Sequence, residues 1–117
     1  MKNIKQQPQV AGPIAAKPQI MFRNARYVTA RVHNEVPREV QLAMWNLIDG
    51  LGATGMQLDY LQIFHLVGQG HVQQINHSQE VPVFKNTCYL PLPKTITAKI
   101  YVIDDSYHST MMFAEEY

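Results

Sequence analysis

The chain lacks the features that define several large classes of protein. Its 117 residues contain one cysteine, Cys88, so a disulfide framework within the chain is excluded and a reducing compartment is favoured. No apolar run approaches the roughly 20 residues that a membrane-spanning helix needs. Polar residues 6–9 (QQPQ) stand where a signal peptide would have its apolar region. These absences predict one cytoplasmic domain without a membrane anchor.

The spacings that mark metal sites and common catalytic motifs are also missing. The five histidines include no HxxxH or HExxH pair, and His71 and His77 would lie about 20 Å apart on a regular strand. The chain has no phosphate-binding glycine loop, no GxSxG and no CxxC. We therefore predict no metal, no cofactor and no catalytic residue. His65 lies within an apolar stretch and is interpreted as a hydrogen-bonded core histidine.

Charge is scarce and unevenly distributed. Charged residues make up 16% of the chain, against a typical value of about 25%. The first 34 residues carry six bases and no acid, whereas the remainder carries four bases and nine acids. Residues 1–22 are rich in proline and glutamine, which predicts a basic tail ahead of a single domain over residues 23–117. Such a tail is either a solvated segment or an arm that binds nucleic acid.

Hydrophobic periodicity predicts one main helix. Proline suits the first turn of a helix, and Pro37 precedes an apolar stripe at helical spacing that runs to about Leu51. The stripe comprises Val36, Val40, Met44, Leu47, Ile48 and Leu51.

Alternation of apolar and polar residues predicts five or six strands. The first begins near Arg26, where Val28, Ala30 and Val32 alternate with polar residues. The mostly polar stretch from His71 to His77 is predicted to be a third strand that lies near an edge of the sheet or solvent. The other predicted strands are Leu58–Val67, Val83–Leu90, Thr95–Ile103 and Ser109–Ala114. We predict an α+β fold, a largely antiparallel sheet with the main helix packed on one face.

A sheet covered on one face leaves the other available for binding. Alternation predicts that this face displays Tyr27, Arg31, Lys99 and Tyr101, together with Thr29, His33 and Thr97. Tyrosines could stack on bases while the two cations meet phosphates, or the same side chains could contact a protein. An ordinary half-exposed sheet has the same pattern.

A second candidate site is the turn after the last long strand, where residues 104–110 read DDSYHST. Asp104, Asp105 and His108 could hold a cation or transfer protons. The alternative is a turn in which Asp and Ser side chains satisfy backbone donors.

Several stretches together resemble a family of small bacterial proteins, domain-of-unknown-function family 960. The matching segments are residues 26–29 (RYVT), 36–49 (VPREVQLAMWNLID), 58–64 (LDYLQIF), 77–82 (HSQEVP) and 98–117 (AKIYVIDDSYHSTMMFAEEY). The resemblance implies no established activity or catalytic residues. It does imply an association with mobile elements, because members occur beside recombinase genes. The long Pro/Gln-rich start departs from the shorter starts of that family.

Three hypotheses for function follow. The first is a non-catalytic interaction module that self-associates, as a homo-oligomer, or binds a protein partner through the uncovered sheet face. The second is a nucleic-acid-binding accessory protein of a mobile element, which uses the same face and the basic leader. The third is a hydrolase or metal-dependent enzyme centred on Asp104, Asp105 and His108.

Overall fold

Two helices pack on one side of a six-stranded sheet in residues 20–117, the part of the chain that the computed structural model describes. The strands are β1 (Ala25–Val28), β2 (Leu61–Gln69), β3 (Val72–Gln79), β4 (Phe84–Pro91), β5 (Ala98–Asp104) and β6 (His108–Phe113). The helices are α1 (Ala30–Glu35) and α2 (Arg38–Ala53), and a 3₁₀ turn covers Ala114–Glu116.

The strand order is β1-β6-β5-β2-β3-β4. Every neighbouring pair is antiparallel except β1 with β6, which is parallel. The predicted class, an α+β fold with a largely antiparallel sheet and one main helix, is confirmed. None of the helices in the described part of the chain is long and apolar enough to cross a membrane.

The hydrophobic core lies between the helices and one face of the sheet. Side chains alternate between the two faces of a strand, and on β2, β5 and β6 one set is buried while the other is half-exposed or exposed. The buried strand residues pack with the α2 stripe at Val40, Met44 and Ile48, each of which is fully buried. Their partners on the central strands are Phe64, Leu66, Ile75, Ile100, Val102 and Met111.

Helix α2 follows the predicted stripe, and side-chain hydrogen bonds link its first turn to the end of α1 and close the turn that follows it. At its start, Gln41 donates through Nε2 to the carbonyl oxygens of Val32 (3.2 Å) and Val36 (2.9 Å). At its end, Thr54 donates through Oγ1 to the Leu51 carbonyl at 2.6 Å. The Val32 and Leu51 carbonyls also accept from the backbone N–H groups of Val36 and Thr54, so these side chains reinforce turns that the backbone already closes.

The prediction that the first strand continues through Ala30 and Val32 is wrong. Strand β1 ends at Val28, and Thr29 is the N-cap of helix α1. The Thr29 hydroxyl oxygen accepts a hydrogen bond from the Val32 N–H at 3.2 Å. A threonine at this position favours helix initiation. Arg31 and the other polar residues at 29–33 that were predicted to lie on the open face of the sheet therefore belong to α1 or its cap.

The mostly polar third strand is predicted to lie near an edge of the sheet or solvent, and it is the penultimate strand, although it buries one set of its side chains. Strand β3 lies between β2 and β4, and its buried set is Gln73, Ile75, His77 and Gln79. These amides and the imidazole bury without penalty only because other groups in the fold satisfy their hydrogen bonds. The edge position belongs instead to β4.

Met21 and Phe22, which fall within the predicted tail, are packed with the domain. Phe22 is 1% exposed, belongs to the core and has a positive φ of 62°. Positive φ is unusual for a bulky residue and requires support from the surrounding structure. The predicted boundary between residues 22 and 23 follows directly after this core residue, and residues 1–19 of the predicted tail lie outside the described part.

Truncating the buried side of α2 should destabilise the fold far more than truncating its exposed side. We expect Ile48→Ala to lower the free energy of unfolding by about 2–5 kcal/mol, because it removes fully buried methyl groups. Leu42→Ala, at a position 50% exposed on the same helix, should change it by about 0.5 kcal/mol or less. Urea unfolding measures both variants, and equal losses would contradict this placement of the core.

Candidate interaction surface

The face of the sheet opposite the helices carries a contiguous apolar patch. Strand register places Ile63 beside Tyr101 and Tyr101 beside Met112 in one row. The next row contains Leu61, Ile103, Thr110 and Tyr27, in that order across four strands. We define the open-face patch as the apolar and aromatic members of both rows: Tyr27, Leu61, Ile63, Tyr101, Ile103 and Met112. Within it Tyr27 is 55% exposed and the others are half-buried.

Tyrosines at the end of the chain and before β2 extend this patch. The ring of Tyr117 meets that of Tyr101 edge-to-face, with centroids 5.7 Å apart. The Tyr60 hydroxyl interacts with Tyr117, which raises the pKa of Tyr60. Tyr60 and Tyr117 are 50% and 70% exposed, so both rings have surface available for contacts. Exposed tyrosines around an apolar centre are typical of protein interfaces.

The other half of the open face, on β3 and β4, is mainly polar, with Val72 and Tyr89 as its exposed apolar side chains. Gln74 donates to Asn76 Oδ1 at 3.0 Å, and Thr87 donates to the same oxygen at 2.8 Å. Lys85 and Lys99 also belong to this face, and Lys99 Nζ lies 5.5 Å from the centroid of the Tyr101 ring. Among the six described strands, no carboxylate occupies an open-face position. The face is therefore amphipathic and weakly basic.

Of the four residues predicted to form a binding site, the structure separates Arg31 from the rest. Arg31 lies on α1, where it pairs with Glu115 and with Glu35 (3.4 Å), and its guanidinium lies 3.9 Å from the Phe113 ring centroid. The hydrogen bond with Glu115 raises the pKa of Arg31. Arg31 therefore holds the C-terminal turn against α1. Tyr27, Lys99 and Tyr101 do share the open face.

His65 is also part of the open face and is exposed, so its interpretation as a core histidine is wrong. Alternation within β2 decides the matter, because Phe64 and Leu66 occupy the buried set. The buried histidine is His77 on the neighbouring strand. Which face of a strand is buried depends on its register with the neighbouring strands, and the sequence of one strand does not show that register.

The terminal turn is built around Asp104, a buried carboxylate with structural partners. Its Oδ2 accepts a hydrogen bond from the Phe22 N–H at 2.7 Å, and its Oδ1 accepts from Asn24 Nδ2 (3.1 Å) and the Ser106 N–H (2.8 Å). Asp104 is 5% exposed. It thus fixes the unusual backbone of Phe22 to the end of β5. A carboxylate occupied in this way has a structural role.

Asp105 and His108 face solvent at the same turn. Asp105 Oδ1 accepts from the N–H groups of Tyr107 and His108, each at 3.0 Å, and these bonds lower the pKa of Asp105. His108 Nδ1 lies 3.2 Å from Asp105 Oδ2 but is not aligned for a hydrogen bond. The His108 ring also meets Tyr27 edge-to-face at 5.4 Å. The turn therefore adjoins the open-face patch at Tyr27.

A buried polar network, which sequence reasoning missed, lies under the sheet at His77. Its Nε2 lies 2.7 Å from Gln62 Oε1, while Gln62 Nε2 donates to Gln79 Oε1 (2.8 Å) and to the Asp59 carbonyl (2.9 Å). Because the Gln62 amide nitrogen donates elsewhere, its oxygen accepts and His77 carries its proton on Nε2. The ring stacks on Phe64 at 4.5 Å. Burial lowers the pKa of His77 to about 4, so the imidazole is neutral at pH 7.

Other features of the described residues offer less to a reaction. No group of three or more histidine, cysteine or acidic side chains in residues 20–117 is arranged to hold a metal ion. Burial raises the pKa of the Cys88 thiol, which packs against the core. A groove of about 730 Å³ lies between residues 20–26 and the end of α2, and the ion pair of Arg26 with Asp49 lies on its wall.

The fold and surface define a class: a small α+β protein with helices on one sheet face and an open, tyrosine-bearing face on the other. The chain belongs to the family described as Staphylococcal protein of unknown function (DUF960), whose model matches residues 25–116. This confirms the resemblance found in the sequence. A solved structure, the crystal structure of the protein of unknown function from Enterococcus faecalis, has the same fold. It is 21% identical, with a TM-score of 0.66 over 87% of this chain and 98% of that one. No curated protein matches the sequence.

Removing the buried carboxylate should destabilise the fold more than removing its exposed neighbour. We expect Asp104→Ala to cost at least about 2 kcal/mol, because it leaves the buried Phe22 N–H without its acceptor. Asp105→Ala should cost about 1 kcal/mol or less, since water can replace its hydrogen bonds at a side chain that is 48% exposed. Chemical denaturation of both variants provides the comparison. A larger loss for Asp105→Ala would mean that the turn does not anchor the segment at Phe22.

His77 should make stability depend on pH between about 6.5 and 4. Its pKa is lower in the folded protein than in the unfolded chain, so the unfolded state binds the extra proton and stability falls as the pH falls through this range. The full effect is roughly 3 kcal/mol. His77→Gln should reduce the loss of stability between pH 7 and pH 4.5 relative to wild type. His65→Gln is the matched control for loss of an imidazole, and an unchanged decline in His77→Gln would disprove the assignment.

Proposed function

We propose that this protein is a non-catalytic interaction module that self-associates through the open-face patch. The observation that carries the proposal is the patch itself, a contiguous apolar surface on four adjacent strands with exposed tyrosines at its margin. Contiguous apolar surface of this kind marks interaction sites in soluble proteins. The single cysteine further supports a reducing, cytoplasmic setting.

The dimensions of the face suit a weak dimer. At ordinary strand spacing and rise, six strands span roughly 25 Å by 20 Å, or about 500 Å². Two such faces packed together would bury on the order of 1,000 Å² in total, which is at the lower end of specific interfaces. Association should therefore vary with protein concentration in the micromolar range.

The chemistry of the described side chains supports binding over catalysis. The predicted acid/base candidates divide into a buried anchor, Asp104, and a solvent-facing pair, Asp105 and His108. The buried imidazole of His77 is committed to Gln62 and stacked on Phe64. Asp104, Asp105 and His77 thus support the backbone or the core, whereas the open face offers apolar surface for contacts.

One observation favours nucleic acid as a second candidate ligand. The open-face positions of the six described strands include Lys85, Lys99 and His65 but no carboxylate. Tyrosine rings beside cations can stack on unpaired bases. Against this candidate, the residues from Glu35 onward have more acids than bases, and Arg31 is paired with two glutamates on the other side of the sheet.

A lysine at the centre of the patch should weaken self-association. We expect the wild-type mass in sedimentation velocity to rise with concentration and Tyr101→Lys to abolish the contribution of the face, because a buried unpaired ammonium is costly. Tyr107→Lys is the matched control, since Tyr107 is 86% exposed on the turn outside the patch. Circular dichroism checks that the variants keep their secondary structure.

Two outcomes would contradict the proposal or redirect it. If Tyr101→Lys and Tyr107→Lys associate like wild type, the patch is not a self-association surface. If wild type binds a single-stranded oligonucleotide, and Lys99→Ala flattens the salt dependence of that binding by about one unit of slope, the nucleic-acid candidate replaces self-association.

A further inference from the structure

The outer edge of β4 is the unprotected edge of the described sheet. β4 is eight residues long and ends the strand order, so its outer side pairs with no strand in residues 20–117. The opposite edge, β1, is only four residues long and leads directly into α1. Long free edges expose unpaired N–H and C=O groups, and natural proteins usually shorten, cover or charge them.

The protection expected at such an edge is nearly absent here. Lys85 is the one charged residue of β4, and the strand interior contains no proline. Large apolar side chains are exposed along and before it: Val81 is 74%, Val83 72% and Tyr89 63% exposed. An edge with this composition is suited to pairing with another strand.

We propose that a second copy of this chain pairs with β4 antiparallel, edge to edge, about a two-fold axis through Thr87. This surface is separate from the open-face patch, so the inference goes beyond the proposed function. Residues directly opposite each other in a ladder point to the same face, and side chains alternate along each strand. The axis must therefore pass midway between the two copies of one residue, so that this residue lies opposite itself.

Side-chain complementarity selects Thr87 as that residue. An axis there places Lys85 opposite Tyr89 of the second copy on the open face, where a cation can meet an aromatic ring. On the helix-covered face it places Phe84 opposite Leu90, both of which are half-buried. Thr87 meets its own counterpart, a favourable cross-strand pair. An axis at Cys88 would instead place Asn86 opposite Leu90 and Lys85 opposite Pro91.

The geometry has a consequence for the whole assembly. A two-fold axis perpendicular to the sheet places both open faces on the same side, because it rotates each sheet without turning it over. The product is a continuous sheet of twelve strands, and its two open-face patches lie away from the axis on the β1, β6, β5 and β2 side of each copy. The edge contact thus leaves the patches free to make their own contacts.

Charge substitutions at the axis test the pairing in the full-length protein. Thr87 is exposed, and its hydroxyl donates a hydrogen bond to Asn76 Oδ1 on the open face, so substitution should preserve the fold. We expect Thr87→Lys and Thr87→Glu each to halve the mass of the edge-paired species in native mass spectrometry, because like charges then face each other. Mixing the two variants should restore a mixed dimer. An unchanged mass in both variants would overturn the proposal.

Combining variants separates this inference from the proposed function. If both hold, Tyr101→Lys and Thr87→Lys each halve the mass of the largest species and the double variant is a monomer. If only the face associates, Tyr101→Lys alone gives the monomer and Thr87→Lys matches wild type, which overturns the edge pairing. If only the edge pairs, the roles of the two variants are reversed and the proposed function fails instead.

Cross-linking tests the register. In a Cys88→Ala background, Thr87→Cys should be joined to its counterpart by a short bifunctional thiol reagent, since directly opposite Cβ atoms lie about 5 Å apart. Lys85→Cys is the control, because its counterpart would lie about 14 Å away, four residues along the ladder. Efficient cross-linking of Lys85→Cys with none at Thr87→Cys would overturn the axis at Thr87.

Discussion

The coverage of the sheet on one face only is the constraint on which the rest of the structure depends. Two helices supply a single layer, and α2 fills the core with Val40, Met44 and Ile48. Each strand must then direct one set of side chains into that core and the other away from it. The apolar residues in the second set form the open-face patch, because no helix of residues 20–117 covers that face of the sheet.

The core contains several buried polar side chains, and those of one network hydrogen-bond to one another and to backbone carbonyls. Gln62 connects His77 to Gln79, and Gln79 donates to the carbonyls of Gln57 and Pro82. Each hydrogen bond links residues from different strands or loops. A satisfied network of this kind rigidifies a core, whereas removal of one member leaves a costly orphan. The glutamines therefore contribute to specifying the register of β2 and β3.

The sequence predicted those helices and strands in which the apolar periodicity repeats along the whole element. The α2 stripe recurs over four turns, and β5 alternates along its whole length, so both were found close to their observed positions. Helix α1 was missed because Val28, Ala30 and Val32 fit a strand period as well as a helix. One residue, the capping Thr29, decides between them.

The features that were not predictable depend on contacts between distant parts of the chain. Asp104 accepts from Phe22 across 82 residues, and Arg31 meets Glu115 across 84. No pattern of neighbouring residues indicates either pairing. From the sequence, Asp104 was therefore interpreted as a candidate functional residue and Arg31 as a cation on the open face of the sheet. By contrast, Tyr27, Lys99 and Tyr101 do lie on the predicted face, because the apolar residues that alternate with them on β1 and β5 are the ones that pack in the core.

The most direct measurement of the central claim is hydroxyl-radical footprinting of the wild-type protein at low and high concentration. Mass spectrometry would give the oxidation rates of Tyr101 and Met112 in the open-face patch and of Tyr107 outside it. If the open face is the association surface, oxidation of Tyr101 and Met112 should fall severalfold at high concentration while that of Tyr107 stays constant. Equal rates for all three residues at both concentrations, in protein that is demonstrably associated, would contradict it.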